Sequence, residues 1–260
     1  MMKTGCYFIF FVYSAVLMGV CFFLCVTIHE LGHLLAGVLS GYRFSSFEIM
    51  GLYLVRTREG LKFGIRKTDC IGQCVMYSEN FRKQALFLIL GGILANTAAA
   101  AASAFILLSK IGGKIDAAGF ELLECENDCN LPIYFVLFIF NMAAVICNML
   151  PDNSTNDGST FADARKSFLH TEAYNRIMFI YAGINEGYEF EEIDGEVFEL
   201  PDMLFSSLSA ELAAYRVMHH RGKDDGQEKN AMRRLEKYSP ELIDPHFKGL
   251  FTKMTCNGSG

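Results

Sequence analysis

Residues 27–37 read TIHELGHLLAG and contain the pattern His-Glu-x-x-His. The two histidines, His29 and His33, are four residues apart, so on a helix both imidazoles lie on one face, one turn apart. This spacing allows both to bind one zinc ion at about 2.0–2.1 Å. Zinc lowers the pKa of a bound water toward about 7, and the carboxylate of Glu30 can take the proton. The pattern therefore predicts a metal site that activates water.

Three uncharged runs indicate that this motif belongs to a membrane protein. The chain has 260 residues, 52% of them hydrophobic, and its mean hydropathy is +0.24. The runs cover residues 7–28, 84–109 and 131–150, and each is long enough to cross a hydrocarbon core of about 30 Å as a helix. We expect core helices over about 7–40, 84–109 and 131–150, with the first retained in the protein rather than cleaved as a signal peptide.

The predicted metal site then lies in the last turns of the first helix. Ionisable side chains at the edge of a membrane are costly unless they function or pair. An accidental match in an apolar helix would leave His29, Glu30 and His33 without that compensation. We therefore interpret the motif as a working metal site.

Basic residues predict how the helices are oriented. The segment 41–83 carries eight Lys and Arg residues, whereas the segment 110–130 carries two against five acids. The first segment is therefore expected in the cytoplasm and the second outside, which places the C-terminus in the cytoplasm. Cys125 and Cys129 in the outside segment would be able to pair in an oxidising compartment. The net charge of −6 gives no indication of nucleic-acid binding.

The segment between the first two helices is predicted to form strands. Leu61, Phe63 and Ile65 alternate with two basic residues and a glycine. This alternation has a period of two residues, as in a half-buried strand. Residues 57–60 form a turn-like sequence before them. We expect a β-hairpin over about 44–67 that lies against the membrane, because residues 47–54 are too apolar for a free loop.

The composition changes at about residue 160, which suggests two domains, 1–160 and 161–260. The second is expected to be cytoplasmic and mostly helical, with helices over about 161–169, 172–184, 203–220 and 227–238 and a loop between residues 185 and 202. His219 and His220 are adjacent on one of these helices and face different sides of it. We expect both to be surface residues.

A catalytic zinc usually takes three protein ligands and leaves one position open. The third-ligand patterns of two classes of soluble zinc protease do not fit this chain. The metzincin pattern requires a histidine where Leu39 stands, and the glutamate of a thermolysin-like enzyme would be Glu48, which lies in a strand-like segment.

The remaining candidates for the third ligand follow the third helix, in residues 148–158, which read NMLPDNSTNDG. That helix returns the chain to the side of the membrane on which His29 and His33 lie. Asp157 is the first candidate, because Gly158 lets the backbone turn sharply beside it. Asp152 remains the alternative.

These motifs together resemble the site-2 protease family of intramembrane zinc metalloproteases. The shared features are HELGH at the end of a first core helix, GGILAN in a second, and Asn-x-x-Pro followed by Asp-Gly after a third. The family also has a membrane-associated β-hairpin between the first two core helices. The resemblance covers about residues 7–160. Residues 151–157, PDNSTND, depart from it, because the common family segment is shorter, more apolar and ends in Leu-Asp-Gly.

The resemblance implies roles for six residues. Zinc would be bound by His29, His33 and Asp157, and Glu30 would be the general base. Asn148 would lie near the active site, and Asn96 would help to hold the substrate backbone or an oxyanion. Hydrogen bonding between helices is the alternative role for both asparagines.

The expected protein is thus an α-helical integral membrane protein with three core transmembrane helices, a membrane-associated β-hairpin and a helical cytoplasmic tail. It is expected to be a zinc metalloendopeptidase of a bacterial cell membrane. Its substrate would be a transmembrane protein or membrane-inserted segment, cut near the cytoplasmic side of the lipid bilayer as in regulated intramembrane proteolysis. No nucleic acid is expected as a partner. The alternatives are a catalytically silent family member that binds membrane proteins and a small metal transporter, which would need more polar residues across its spans.

Overall fold

A computed structural model describes residues 2–67, 70–112, 131–150, 156–189, 192–199, 207–220 and 227–235. The helices are α1 (Met2–Leu39), α2 (Leu86–Gly112), α3 (Leu131–Met149), α4 (Asp157–Lys166), α5 (Phe168–Glu186), α6 (Ser207–His220) and α7 (Gln227–Leu235), with a short 3-10 helix over Gly195–Phe198. The strands are β1 (Arg43–Ile49), β2 (Leu52–Thr57), β3 (Gly60–Ile65) and β4 (Gly72–Tyr77). Asp152, Cys125 and Cys129 lie outside the described residues.

Three of these helices are long and apolar enough to cross a membrane. The qualifying segments are Ile9–Leu39, Leu86–Lys110 and Pro132–Met149, which agree with the helices expected from the uncharged runs. All three pack against one another. Helices α1 and α2 approach closely at two glycines, since a β-carbon on Gly91 would lie 2.5 Å from the carbonyl oxygen of Gly32.

Helix α1 ends in a left-handed glycine cap. Gly41 has a φ of +70°, and the amide of Tyr42 donates to the carbonyl of Gly37 at 2.8 Å, the bond that closes such a cap. The Nζ of Lys83 donates to the carbonyl of Gly41 at 2.6 Å. The segment before α2 is thereby tied to the end of α1.

The segment between α1 and α2 forms a four-stranded antiparallel sheet with the order β3-β2-β1-β4. Met50 and Gly51 both have positive φ values, 49° and 87°, as in the type I′ turn that connects β1 to β2. The expected hairpin over 44–67 is part of this larger sheet, which also includes β4. Strand β4 was not predicted because its sequence, GQCVMY, lacks the alternation of apolar and charged residues that identifies β3.

The sheet lies between two helical layers. On one face, Gly72 lies against Val26 and Glu30 of α1. On the other face, Tyr77 stacks edge-on against Phe179 of α5, with ring centroids 6.0 Å apart. Helix α5 also contacts β1 and β2. The sheet thus joins the apolar helices to the C-terminal region.

Asn175 of α5 is fully buried and bonds to the segment before α2. Its Nδ2 donates to the carbonyls of Phe81 at 2.9 Å and Lys83 at 2.7 Å, and its Oδ1 accepts from the hydroxyl of Tyr42 at 3.0 Å. The C-terminal region therefore contacts the entry to α2 directly. Helix α4 runs across residue 160, the position at which the composition changes.

The C-terminal region has an apolar core of its own, formed by α5, the 3-10 helix, α6 and α7. Our expectation that His219 and His220 are surface residues is wrong, because their side chains are 5% and 6% exposed. His219 stacks on Phe198 with ring centroids 4.6 Å apart. Phe198 belongs to the 3-10 helix, which packs against α6. This 3-10 helix lies in the segment that was expected to be a loop.

Candidate metal centre

The last turns of α1 bring His29 and His33 to one face of the helix. Their Nε2 atoms are 3.2 Å apart, and the two rings meet nearly at right angles, with an interplanar angle of 78°. Both nitrogens therefore face a common point. This is the arrangement that the spacing of four residues predicted.

Asp157 is the first residue of α4 and approaches the two histidines from outside α1. Its Oδ2 lies 2.9 Å from the Nε2 of His29 and 3.2 Å from the Nε2 of His33. Among the described residues, these three side chains form the group that could hold a metal ion.

The spacing of these three atoms fits a zinc ion. Ligand atoms at about 2.0–2.1 Å from a tetrahedral zinc lie about 3.3 Å from one another, close to the observed separations of 2.9–3.2 Å. One oxygen and two imidazole nitrogens are also ligands that zinc prefers. These three donors would leave one position of a bound zinc ion for water, as in catalytic zinc sites.

The hydrogen bond on the far side of the His33 ring supports the same conclusion. The Nδ1 of His33 lies 2.9 Å from the carbonyl oxygen of Leu88. A carbonyl only accepts, so Nδ1 carries a proton, and Nε2 is the nitrogen left to bind a metal ion when the ring is neutral. Nε2 and the Asp157 oxygen approach this closely with either a proton or a metal ion between them.

Asn96 faces the Nδ1 of His29, the ring nitrogen that points away from Asp157. A metal-binding histidine usually has a hydrogen-bond partner at this position. The Nδ2 of Asn96 is 3.2 Å from the Nδ1 of His29. The Asn96 side chain is fully buried, and its Oδ1 has no hydrogen-bond partner among the residues that the structure describes. When Nε2 of His29 binds a metal, Nδ1 carries the proton and needs an acceptor. A rotation of the amide by a half turn presents Oδ1 to that proton and removes the unsatisfied buried oxygen.

The Asp157 carboxyl is ionised at neutral pH. Burial alone would raise its pKa, but the adjacent rings of His29 and His33 have the larger combined effect and lower the pKa to about 2. A carboxylate with this charge offsets part of the charge of a divalent cation. It is therefore suited to be the anionic member of the ligand set.

Glu30 follows His29 on α1 and is 6% exposed. It faces the start of β4, since a β-carbon on Gly72 would lie 2.6 Å from its Oε1. The sequence predicted Glu30 as a proton acceptor next to the metal. The structure adds that a strand passes directly beside this carboxylate.

Strand β4 is an outer strand of the described sheet. The amide of Met50 donates to the carbonyl of Ile71 at 2.9 Å. Along an antiparallel strand, residues whose main-chain groups point toward the partner strand alternate with residues whose groups point away from it. The main-chain groups of Gly72 and Cys74 therefore face away from β1. The thiol of Cys70 donates to the carbonyl of Gly72 at 3.0 Å.

Asn148 is placed near the end of α3 but does not join the ligand group. Its Nδ2 donates to the carbonyl of Ala144 at 2.9 Å, which is a bond within its own helix. The main-chain carbonyl of Asn148 instead lies close to α4, since a β-carbon on Gly158 would be 2.6 Å from its oxygen. Gly158 thus permits the close approach of α4 to α3, where the sequence had suggested a sharp turn.

Sequence reasoning did not find Gly92, although it lies at the metal centre. A β-carbon on this residue would be 2.5 Å from the Nε2 atoms of both His29 and His33. The motif GGILAN contained this glycine, but a small residue in an apolar helix is equally expected at any helix–helix contact. Gly92 is required at the metal centre because it packs against the two histidines of α1, and the sequence of α2 alone does not identify that contact.

A comparison with protein families gives a match over much of the chain. The sequence profile described as Peptidase family M50 matches residues 17–170, which is more than half of the chain. The matched segment includes His29, Glu30, His33 and Asp157, together with the sheet. No curated protein and no solved structure gives a significant match. The chain belongs to peptidase family M50, the family of membrane metalloproteases of the site-2 protease type.

Proposed function

We propose that this member of peptidase family M50 is an integral-membrane zinc endopeptidase. It cleaves a transmembrane or membrane-inserted protein segment near its cytoplasmic side, as in regulated intramembrane proteolysis. The observation that carries the proposal is the convergence of His29, His33 and Asp157 within 3.2 Å of one another. This group lies at the end of a helix long and apolar enough to span a membrane.

On this proposal His29, His33 and Asp157 hold the zinc ion. When bound, zinc acts as a Lewis acid that activates water and polarises the scissile carbonyl. Glu30 takes the proton of the attacking water and passes it to the nitrogen of the leaving amine. Its position directly after a ligand and its low exposure of 6% support this role.

We further propose that the open edge of β4 binds the substrate backbone. A transmembrane substrate is helical, and its peptide bonds are shielded until the helix unwinds locally. An unwound segment exposes main-chain donors and acceptors, which the outward-facing groups of Gly72 and Cys74 can satisfy by strand addition. A strand placed there passes Glu30.

The proposed membrane is a bacterial cell membrane, which the chain crosses three times with its C-terminus in the cytoplasm. The basic residues of the segment between α1 and α2 support this orientation. The metal ligands lie at the same end of the apolar helices as the sheet and α4. Water therefore reaches the site from the cytoplasmic side rather than through the hydrocarbon core.

The test compares the proteins of membranes that contain the wild-type chain with those that contain Glu30→Gln. Glu59→Gln is the matched control, because Glu59 pairs with Lys62 at 2.8 Å on an exposed turn. We expect new fragments of membrane proteins with the wild type and with Glu59→Gln, and none with Glu30→Gln. Full proteolysis by Glu30→Gln would overturn the assignment. Capture of membrane proteins by the purified wild type without cleavage would favour the silent family member.

A further inference from the structure

Asn156, the residue before the metal ligand Asp157, bonds to two helices at once. It is the N-cap of α4, and its Oδ1 accepts from the amide of Ser159 at 2.8 Å. Its carbonyl accepts from the amide of Thr160 at 3.0 Å. The side-chain bond satisfies one of the amides that a helix leaves unpaired in its first turn, and the carbonyl bond is the first hydrogen bond within the helix.

The other half of the same side chain caps α3. The Nδ2 of Asn156 donates to the carbonyl of Cys147 at 3.0 Å and to the carbonyl of Leu150 at 2.9 Å. These carbonyls belong to the last turn of α3 and the residue that follows it, where carbonyls have no partner within the helix. One amide group therefore joins the C-terminal end of α3 to the N-terminal end of α4.

This joint fixes the position of the adjacent carboxylate. A metal ligand has to be held within about 0.5 Å of the productive geometry. Asp157 is the first residue of α4, so any shift of that helix relative to the transmembrane helices moves its Oδ2 relative to His29 and His33. Gly158 brings α4 against α3, and Asn156 supplies the directional bonds that set the register of the contact.

An ordinary helix cap would not need this particular side chain. Serine or aspartate can accept the bond from Ser159, but neither donates two hydrogen bonds to carbonyls of another helix. The common family segment that this chain resembles ends in Leu-Asp-Gly, and leucine would form none of these bonds. In this chain the polar segment 151–157 replaces that apolar one.

We propose that Asn156 is a positioning residue that holds Asp157 in the metal site by joining α3 to α4. The inference rests on the proposed metal site. It adds a residue that touches neither metal nor substrate and acts through the geometry of its neighbour. Loss of a partner in the outer shell of a metal site typically lowers metal affinity by about 10- to 100-fold.

The experiment titrates the full-length protein in detergent with Co²⁺ and follows the visible absorption of the bound ion. The variants are Asn156→Ala, which loses both sets of bonds, and Asn156→Asp, which keeps the acceptor for Ser159 but loses the donors to α3. Asn80→Ala is the matched control, because Asn80 caps a turn by accepting from the amide of Arg82 at 3.1 Å. Thermal unfolding of each variant is measured in the absence of metal.

We expect Co²⁺ affinity to fall in the order wild type, Asn156→Asp, Asn156→Ala, with a total loss of about 10- to 100-fold, and no change in Asn80→Ala. If Asn156→Ala does not fold, the comparison of Asn156→Asp with wild type decides. Equal affinity of the folded variants and the wild type would overturn the inference, including the case in which only the melting temperature falls. Absence of Co²⁺ binding by the wild type would instead contradict the proposed metal site itself.

Discussion

Gly72 of β4 faces Glu30 of α1 so closely that a β-carbon on the glycine would lie 2.6 Å from Oε1 of the carboxylate. Gly72→Ala should therefore displace Glu30 while leaving the three metal ligands in place. We expect kcat to fall by about 100- to 1,000-fold, within the range that general acid–base catalysis contributes. Zinc content of the purified protein should be unchanged. Gly19→Ala is the control, because a β-carbon there meets no atom of the described residues within 4 Å.

Gly92→Ala should instead lower the zinc content of the purified protein, which Gly72→Ala leaves unchanged. The added β-carbon would lie 2.5 Å from the Nε2 atoms of His29 and His33, which is inside van der Waals contact. Metal analysis should find little zinc in the variant. Gly183→Ala is the comparison, since its β-carbon would come no closer than 3.4 Å to Ile193. A full complement of zinc in Gly92→Ala would show that α2 does not border the metal.

The identity of the third ligand is tested by two aspartate variants. Asp157→Asn should lower zinc affinity by more than about 100-fold, because changes to outer partners alone cost about 10- to 100-fold. Asp152→Asn should bind zinc like the wild type. Competition with a chromophoric chelator measures both affinities. The reverse ranking would assign the ligand to Asp152.

Asn96→Ala separates the two roles available to this asparagine. Because Asn96 lies 3.2 Å from the Nδ1 of His29, we expect a loss of zinc affinity of about 10- to 100-fold. At saturating zinc, KM for a peptide substrate should be unchanged. A variant with normal zinc affinity and a raised KM or lowered kcat would instead support the substrate or oxyanion role that the family resemblance implies.

Asn175→Ala should destabilise the protein through the segment before α2. Removal of this buried side chain leaves the carbonyl of Phe81 without this donor and leaves Tyr42 and Lys83 with only the longer bond of 3.4 Å between the hydroxyl and the carbonyl. Each unsatisfied buried group costs about 1–3 kcal/mol. We expect the free energy of unfolding to fall by about 2–5 kcal/mol, measured by denaturant titration in detergent. Asn185→Ala should cost less, because Asn185 is only half-buried and bonds to the hydroxyls of Ser45 and Ser46. Equal losses would contradict a special role for Asn175.

The parts of the site that the sequence predicts are those set by local spacing. His29 and His33 lie on one face because they are four residues apart on a helix, and three uncharged runs suffice to locate α1, α2 and α3. Asp157 was the first candidate for the third ligand, with Asp152 as the alternative. Which of the two reaches the histidines depends on how α4 begins, and a run of turn-forming residues leaves that undetermined.

The remaining features depend on contacts between distant segments. The glycines at 72 and 92 are required by the side chains they meet, and no local pattern identifies those partners. His219 and His220 were expected at the surface because adjacent residues face different sides of a helix. Helix α6 is covered on both of those sides, by elements whose arrangement the periodicity of α6 does not encode.

The division of the metal ligands between α1 and α4 also affects when the site can form during synthesis. His29 and His33 enter the membrane with the first helix, but Asp157 and the segment that supports it leave the ribosome only after the sheet, α2 and α3. A nascent chain therefore carries an incomplete site while most of its core is already inserted. On the proposed function, hydrolytic competence arises late in translation, and we expect truncated products that end before α4 to leave neighbouring membrane proteins intact.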